Sequence, residues 1–240
     1  MDGKKTNRRD LLIAAAIVLA GAIISFLILS GVFTGAGKST QKEETDTCYT
    51  VRFFGKEGDL LKEQTVKSGG YALPPEVNEP GYVFKGWSEQ LFGISADTDA
   101  YAQFAPLDND AENVVLGGAV YAEGKKPIIV PLRLDGGVGC SGFTIEAEYD
   151  PKLLKFKGAE NTKEGVAVKN DEEEGRVTVN YSGEMIKEPS GITALTFSCR
   201  QSGCWKTTLK TATKEIFARR GDEEVYTDSV AYDTEIFIFG

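Results

Sequence analysis

Hydrophobic residues are distributed along this chain in two distinct ways. Residues 11–33 run for 23 positions without a charged side chain, broken in polarity only by Ser25, Ser30 and glycines. A helix of that length spans about 34 Å against a hydrocarbon core of about 30 Å, so the run predicts one transmembrane helix. Residues 34–47 hold almost nothing to bury and predict a flexible linker. From Cys48 onward the pattern turns to period two. Segments 49–53, 60–66, 82–87 and 100–104 predict short strands, punctuated by Gly69-Gly70, Pro74-Pro75 and Glu79-Pro80-Gly81. They delimit a small β domain over 48–106, with Phe53, Tyr82, Phe84, Trp87 and Phe104 as its expected core. Residues 107–112 form a short acidic linker.

The remaining residues, 113–240, carry strand-like runs at 114–122, 127–134, 142–149, 153–158, 166–169, 176–181, 192–198, 205–209 and 230–239. Turn signals such as Asp135-Gly136-Gly137, Asp150-Pro151 and Glu174-Gly175 separate them. Nine short strands at this spacing, with no room for crossover helices, predict an all-β fold, a nine-stranded jelly-roll β-sandwich. In 142–149 the alternation puts Phe143, Ile145, Ala147 and Tyr149 toward the core and Thr144, Glu146 and Glu148 outward. In 176–181 it puts Val177, Val179 and Tyr181 in. The final run is apolar enough to need a central or well-covered place, since such an edge invites aggregation.

Charge orients the chain. Lys4, Lys5, Arg8 and Arg9 precede the apolar run, which predicts a cytoplasmic tail over 1–10 and export of everything after 33. A cleaved signal peptide is the competing reading, with Thr34-Gly35-Ala36 at the processing site, although the run exceeds the usual h-region. The whole chain has 36 acidic and 27 basic residues; beyond residue 33 the balance is 34 against 23, or −11. That favours solubility and argues against nucleic acid as a partner.

The four cysteines, Cys48, Cys140, Cys199 and Cys204, can oxidise in an exported chain. Cys199 and Cys204 flank a four-residue stretch that reads as a hairpin loop between 193–198 and 205–209, which would bring them within disulfide range. Cys48 and Cys140 would then pair with each other or stay reduced. The chain has no histidine, which removes the commonest zinc ligand and the commonest acid–base catalyst. Asp108-Asn109-Asp110 and Asp171-Glu172-Glu173-Glu174 lack the calcium-loop spacing and read as exposed acidic turns. Catalysis by paired carboxylates would need a cleft that a thin sandwich scarcely provides, and the chain reads as non-enzymatic.

Two resemblances follow from particular motifs. Tyr49-Thr50-Val51-Arg52-Phe53, the segment 64–69, the proline pair and Gly81-Tyr82-Val83-Phe84-Lys85-Gly86-Trp87 resemble the β-grasp-like repeat of bacterial surface proteins, the Listeria–Bacteroides or internalin B-repeat type, over 49–105. That resemblance implies a spacer or adhesion module. Residues 113–240 resemble a cohesin domain, the receptor module for dockerins. The match rests on 114–122, 124–132, 142–149 leading into Asp150-Pro151-Lys152-Leu153-Leu154-Lys155-Phe156, 175–183 and 191–197.

The cohesin resemblance implies a flat sheet face that takes the partner. Carried over by position, the contact residues are Gly142, Thr144, Glu146 and Glu148, with Lys169, Thr178, Asn180 and Ser182 beside them. Gly142 and Thr144 stand where one cohesin class carries asparagine and aspartate. The resemblance implies no cofactor in this chain, with calcium held by the dockerin partner. The expectation is therefore a single-pass cell-surface docking receptor for dockerin-bearing proteins such as polysaccharide-degrading enzymes. The rival is a carbohydrate-binding or adhesive protein on the same scaffold. Exposure of Trp205 beside Tyr226 or Tyr232 would favour that rival.

Overall fold

The computed structural model describes residues 47–107, 113–136 and 139–240. The expected cytoplasmic tail, transmembrane helix, linker 34–47 up to residue 46, and nearly all of linker 107–112 lie outside the described residues. Among the described residues every regular element is a strand, and no helix is long and apolar enough to cross a membrane.

Four strands make the first sheet: β1 (Cys48–Phe54), β2 (Leu60–Lys67), β3 (Tyr82–Trp87) and β4 (Thr98–Pro106), in the order β2-β1-β4-β3. The two central strands, β1 and β4, run parallel, with an antiparallel partner on each side. Alternation in β1 buries Val51 and Phe53 completely and leaves Arg52 outside. Phe53 lies opposite Ala100, and the small Ala100 and Ala102 leave room above β4 for Trp87. Its ring packs edge-on to Phe53 at 5.0 Å and to Phe84 at 5.8 Å. Phe84 and Phe104 pack against this cluster as expected. Tyr82 does not join it: the ring meets Phe104 edge-on at 6.4 Å and carries the Lys56 ammonium 3.4 Å above its face.

Residues 113–240 fold into two facing sheets. The larger has the order β10-β11-β8-β13-β16-β6, with β14 added to β13; the smaller is β15-β5-β7-β12-β9. The strands are β5 (Asn113–Leu116), β6 (Gly118–Glu123), β7 (Ile128–Gly136), β8 (Cys140–Glu148), β9 (Leu154–Glu160), β10 (Val166–Asp171), β11 (Arg176–Ile186), β12 (Ser190–Cys199), β13 (Trp205–Arg220), β14 (Glu223–Tyr226), β15 (Ser229–Ala231) and β16 (Thr234–Phe239). Phe143, Ile145 and Ala147 of β8, Val177, Val179 and Tyr181 of β11, Ile128 and Val130 of β7, and Leu195 and Phe197 of β12 fill the space between the sheets. The alternation read from the sequence places those of β8 and β11 correctly.

Twelve strands replace the nine expected, for identifiable reasons. The run 114–122 breaks at Gly117, which sends β5 to the smaller sheet and β6 to the larger. The run 230–239 breaks at Tyr232 and Asp233 in the same way, so β15 runs parallel to β5 and β16 parallel to β6. The two crossings touch backbone to backbone. A Cβ on Gly117 would lie 2.0 Å from the Tyr232 carbonyl oxygen, and Gly118 has a φ of +145°. The sixteen-residue β13 was readable only to Leu209, because a register shift between Thr213 and Glu215 breaks its period of two.

The expected hairpin between 193–198 and 205–209 is absent. β12 belongs to the smaller sheet and β13 to the larger, so residues 200–204 cross between sheets. Cys199 and Cys204 therefore do not face each other across a ladder, and no disulfide joins them. No bridge links Cys48 to Cys140 either: Cys140 is buried inside the sandwich, whereas Cys48 is exposed at the start of β1.

The four-stranded sheet and the sandwich belong to one compact unit that spans 46–240. β16 lies between β13 and β6, the covered position its composition calls for. Its inward side chains, Ile236 and Ile238, enter the sandwich core, while Phe237 and Phe239 point the other way. Phe239, 2% exposed, stacks on Tyr71 at 5.4 Å, and Phe237 stacks on Tyr121 of β6 at 4.6 Å. The Trp87 amide donates to the Tyr121 hydroxyl at 3.2 Å. The first sheet thus completes its core with aromatics from the outer face of the larger sheet.

Candidate functional site

β16 and β6 give their share of that outer face to the first sheet. The rest of it, on β10, β11, β8 and β13, meets solvent. Register fixes which side chains stand together there. Lys169, Thr178, Glu146 and Ala212 form one row across the four strands, and Asp171, Arg176, Glu148 and Lys210 form the next. Ala167, Asn180 and Thr144 form a third, and Ser182, Gly142 and Phe217 a fourth. All eight residues singled out from the sequence therefore lie on one face, but they are not equally available.

Gly142 is buried. The tip of the Phe217 ring lies over it, and a Cβ at this position would come within 2.2 Å of that ring. Phe217 thus occupies the contact position expected of Gly142. Beneath it the Cys140 thiol donates to the Gly142 carbonyl at 3.3 Å, and burial pushes the thiol up to about 11. The Thr144 hydroxyl donates to the Asn180 side-chain oxygen at 2.9 Å, so those two groups are partly used by each other. Glu146 faces two cations, with Lys214 at 3.1 Å and Arg176 at 3.9 Å. Glu148, Lys169, Asn180 and Ser182 are exposed, and Thr178 is half-buried.

Sequence reasoning missed Phe217 and Arg219 on the far half of β13, and named Tyr226 of β14 only as a sugar-stacking neighbour of Trp205. Tyr226 pairs in register with Phe217, is 63% exposed, and holds its ring 5.9 Å from that of Phe217 at a tilt of 59°. The Arg219 guanidinium lies 5.7 Å from the Phe217 ring and pairs with Glu224 at 3.2 Å. This corner shows no alternation in the sequence, because Ile216, Phe217 and Ala218 are all apolar and only the ladder separates the outward Phe217 from its buried neighbours. Trp205 is half-buried, lies opposite Ile238, and packs on the sandwich core, away from Tyr226 in the ladder.

A second concavity of about 1010 Å³ lies where segment 73–78 and β3 face β6 and the outer side of β7; Lys62, Tyr82, Tyr121, Ile129 and Arg133 are among its lining residues. Among the described residues no group of three or more His, Cys, Asp or Glu is placed to hold a metal ion. In the acidic turn after β10, Asp171 accepts the Glu174 amide at 3.1 Å and Glu172 pairs with Arg200 at 2.6 Å.

No protein-family model and no curated protein matches the chain. Solved structures do. A type I cohesin–dockerin complex from Clostridium thermocellum is 16% identical over 53% of this chain and 99% of that one, with a TM-score of 0.47. The third cohesin ScaC of Acetivibrio cellulolyticus, solved with the ScaB dockerin, is 11% identical over 53% and 99%, with a TM-score of 0.45. A non-cellulosomal cohesin from the archaeon Archaeoglobus fulgidus is 12% identical over 54% and 92%, with a TM-score of 0.44. Identities this low, with TM-scores under 0.5, do not fix a family.

Proposed function

We propose that this protein is a non-catalytic docking receptor whose β10-β11-β8-β13 face binds a dockerin-bearing partner. One observation carries the reading: the ladder brings Thr144, Glu146, Glu148, Lys169, Thr178, Asn180 and Ser182 onto a single solvent-facing sheet surface, where the cohesin resemblance expects a partner. Segment 11–33 holds the receptor in the membrane with 34–240 outside, and the partner brings its own calcium. The first sheet, in the role its repeat-like motifs suggest, sets the receptor off from the membrane. Because the two sheet systems share aromatic core residues, it does so as a fixed mount.

The test is a pull-down with the full chain in detergent against dockerin-bearing secreted proteins of the same organism, with EDTA as control. Capture lost with EDTA supports the reading. Retention of the chain on polysaccharide, with no dockerin captured, sinks it. The second outcome is the carbohydrate reading, which the exposed Tyr226 favours because sugar rings stack on exposed aromatic faces.

A further inference from the structure

The docking face is neutralised from within. Its cations Arg176 and Lys214 are spent on Glu146, Arg219 on Glu224, and Lys206 on Glu235 at the border with β16. Lys210 stands opposite Glu148, and Arg176 lies between Asp171 and Glu148. The outward side chains of the four strands thus carry acids and bases in near balance, in a chain of net charge −9. A face of this kind offers a partner little net field, so charge steering is weak and affinity has to come from desolvation of apolar groups.

One corner of the face is built for that. Phe217 lies across β8 because Gly142 leaves no Cβ in its way, and Tyr226 stands beside it at 59°. The two rings make a V-shaped notch open to solvent on the Tyr226 side. It is held rigid. Four register pairs tie β14 to β13, the Thr227 amide donates to the Ile216 carbonyl at 3.1 Å, and the Arg219 amide donates to the Ser141 hydroxyl at 3.1 Å. Ser182 and the Thr144–Asn180 pair supply uncharged polar groups alongside. A preformed aromatic seat, with uncharged polar groups on the β8–β11 side and the self-paired Arg219–Glu224 on the other, has the make-up of an interface hot spot and its rim.

We propose, on the basis of the docking reading, that the partner is a protein that seats one apolar side chain in the Phe217–Tyr226 notch and meets the face with a largely uncharged surface. The notch dominates affinity, and the charged rows mainly set the fit.

The experiment is a calorimetric titration of the full chain in detergent with a calcium-loaded dockerin domain from the same organism, across salt and with two variants. Tyr226→Ala, at an exposed position that leaves folding intact, is expected to weaken binding by about thirtyfold or more. Raising salt from about 0.1 M to about 1 M is expected to change affinity by less than about threefold. Phe217→Leu keeps the site covered but flattens the notch and is expected to fall between wild type and Tyr226→Ala. Wild-type-like binding by Tyr226→Ala, or a steep salt dependence, overturns the notch while leaving docking standing. No binding by the wild-type chain overturns docking and the notch together. Loss of polysaccharide retention in Tyr226→Ala, in a chain that binds no dockerin, assigns the rings to sugar and contradicts a protein anchor.

Discussion

The outer face of the larger sheet has two halves that obey the same alternation and meet opposite fates. On β16 and β6 the outward positions hold Phe237, Phe239 and Tyr121, and the first sheet covers them. On β10, β11, β8 and β13 they hold mostly threonine, asparagine, lysine and glutamate with the small Ala167, Ala212 and Gly142, and the aromatic exceptions are Phe217 and, on the added strand β14, Tyr226. Apolar side chains on both faces of one strand require a permanent cover. A polar face with one aromatic corner tolerates water and leaves room for a partner that comes and goes. Composition of the outward positions, rather than strand propensity, separates scaffold from site.

Phe239→Ala breaks the comparison most severely. It removes a ring that is 2% exposed and stacked on Tyr71, at an expected cost of about 3–5 kcal/mol. Denaturant unfolding is expected to show one earlier transition by both near-UV and far-UV signals; loss confined to the first sheet would show that the halves are energetically separate.

The junction also has a pH signature. Burial pushes the Tyr121 hydroxyl up to about 12 from an ordinary value of 10.0, so the fold favours its neutral form. That contribution is complete below pH 10 and is lost as pH rises toward 12. The loss amounts to about 2–3 kcal/mol. Tyr121→Phe is expected to flatten that part of the stability-against-pH curve, and an unchanged slope would contradict the assignment.

On the open half the effects are smaller. Gly142→Ala drives a methyl into the Phe217 ring and is expected to cost about 1–3 kcal/mol while displacing the ring. A fall in Phe217–Tyr226 contacts by NMR would accompany it. Glu146→Gln removes an acid paired with two cations on a solvent-facing sheet, and is expected to shift stability by less than about 1 kcal/mol in urea titration.

Much of this was legible in the sequence where period two is uninterrupted. β8 from Phe143 onward and β11 up to Tyr181 show it, which placed their core residues correctly. It failed where backbone geometry changes phase without changing composition. Gly117 and Tyr232–Asp233 divide runs that look continuous, since a strand that changes sheets keeps its apolar content. Residues 211–220 lost their signal to the register shift at Thr213–Glu215. The Cys199–Cys204 expectation failed because a four-residue connection serves a hairpin and a sheet-to-sheet crossing equally well. The aromatic junction did leave a trace. Thr234–Phe239 is apolar on both faces, and such a strand needs cover on both.

The most direct measurement is amide hydrogen exchange on the full chain in detergent, with and without a saturating calcium-loaded dockerin domain. Added protection confined to β8, β10, β11, β13 and the β13–β14 turn is the expected result. Protection centred instead on the concavity between segment 73–78 and β7, or spread over the smaller sheet, would place the partner elsewhere and contradict the account.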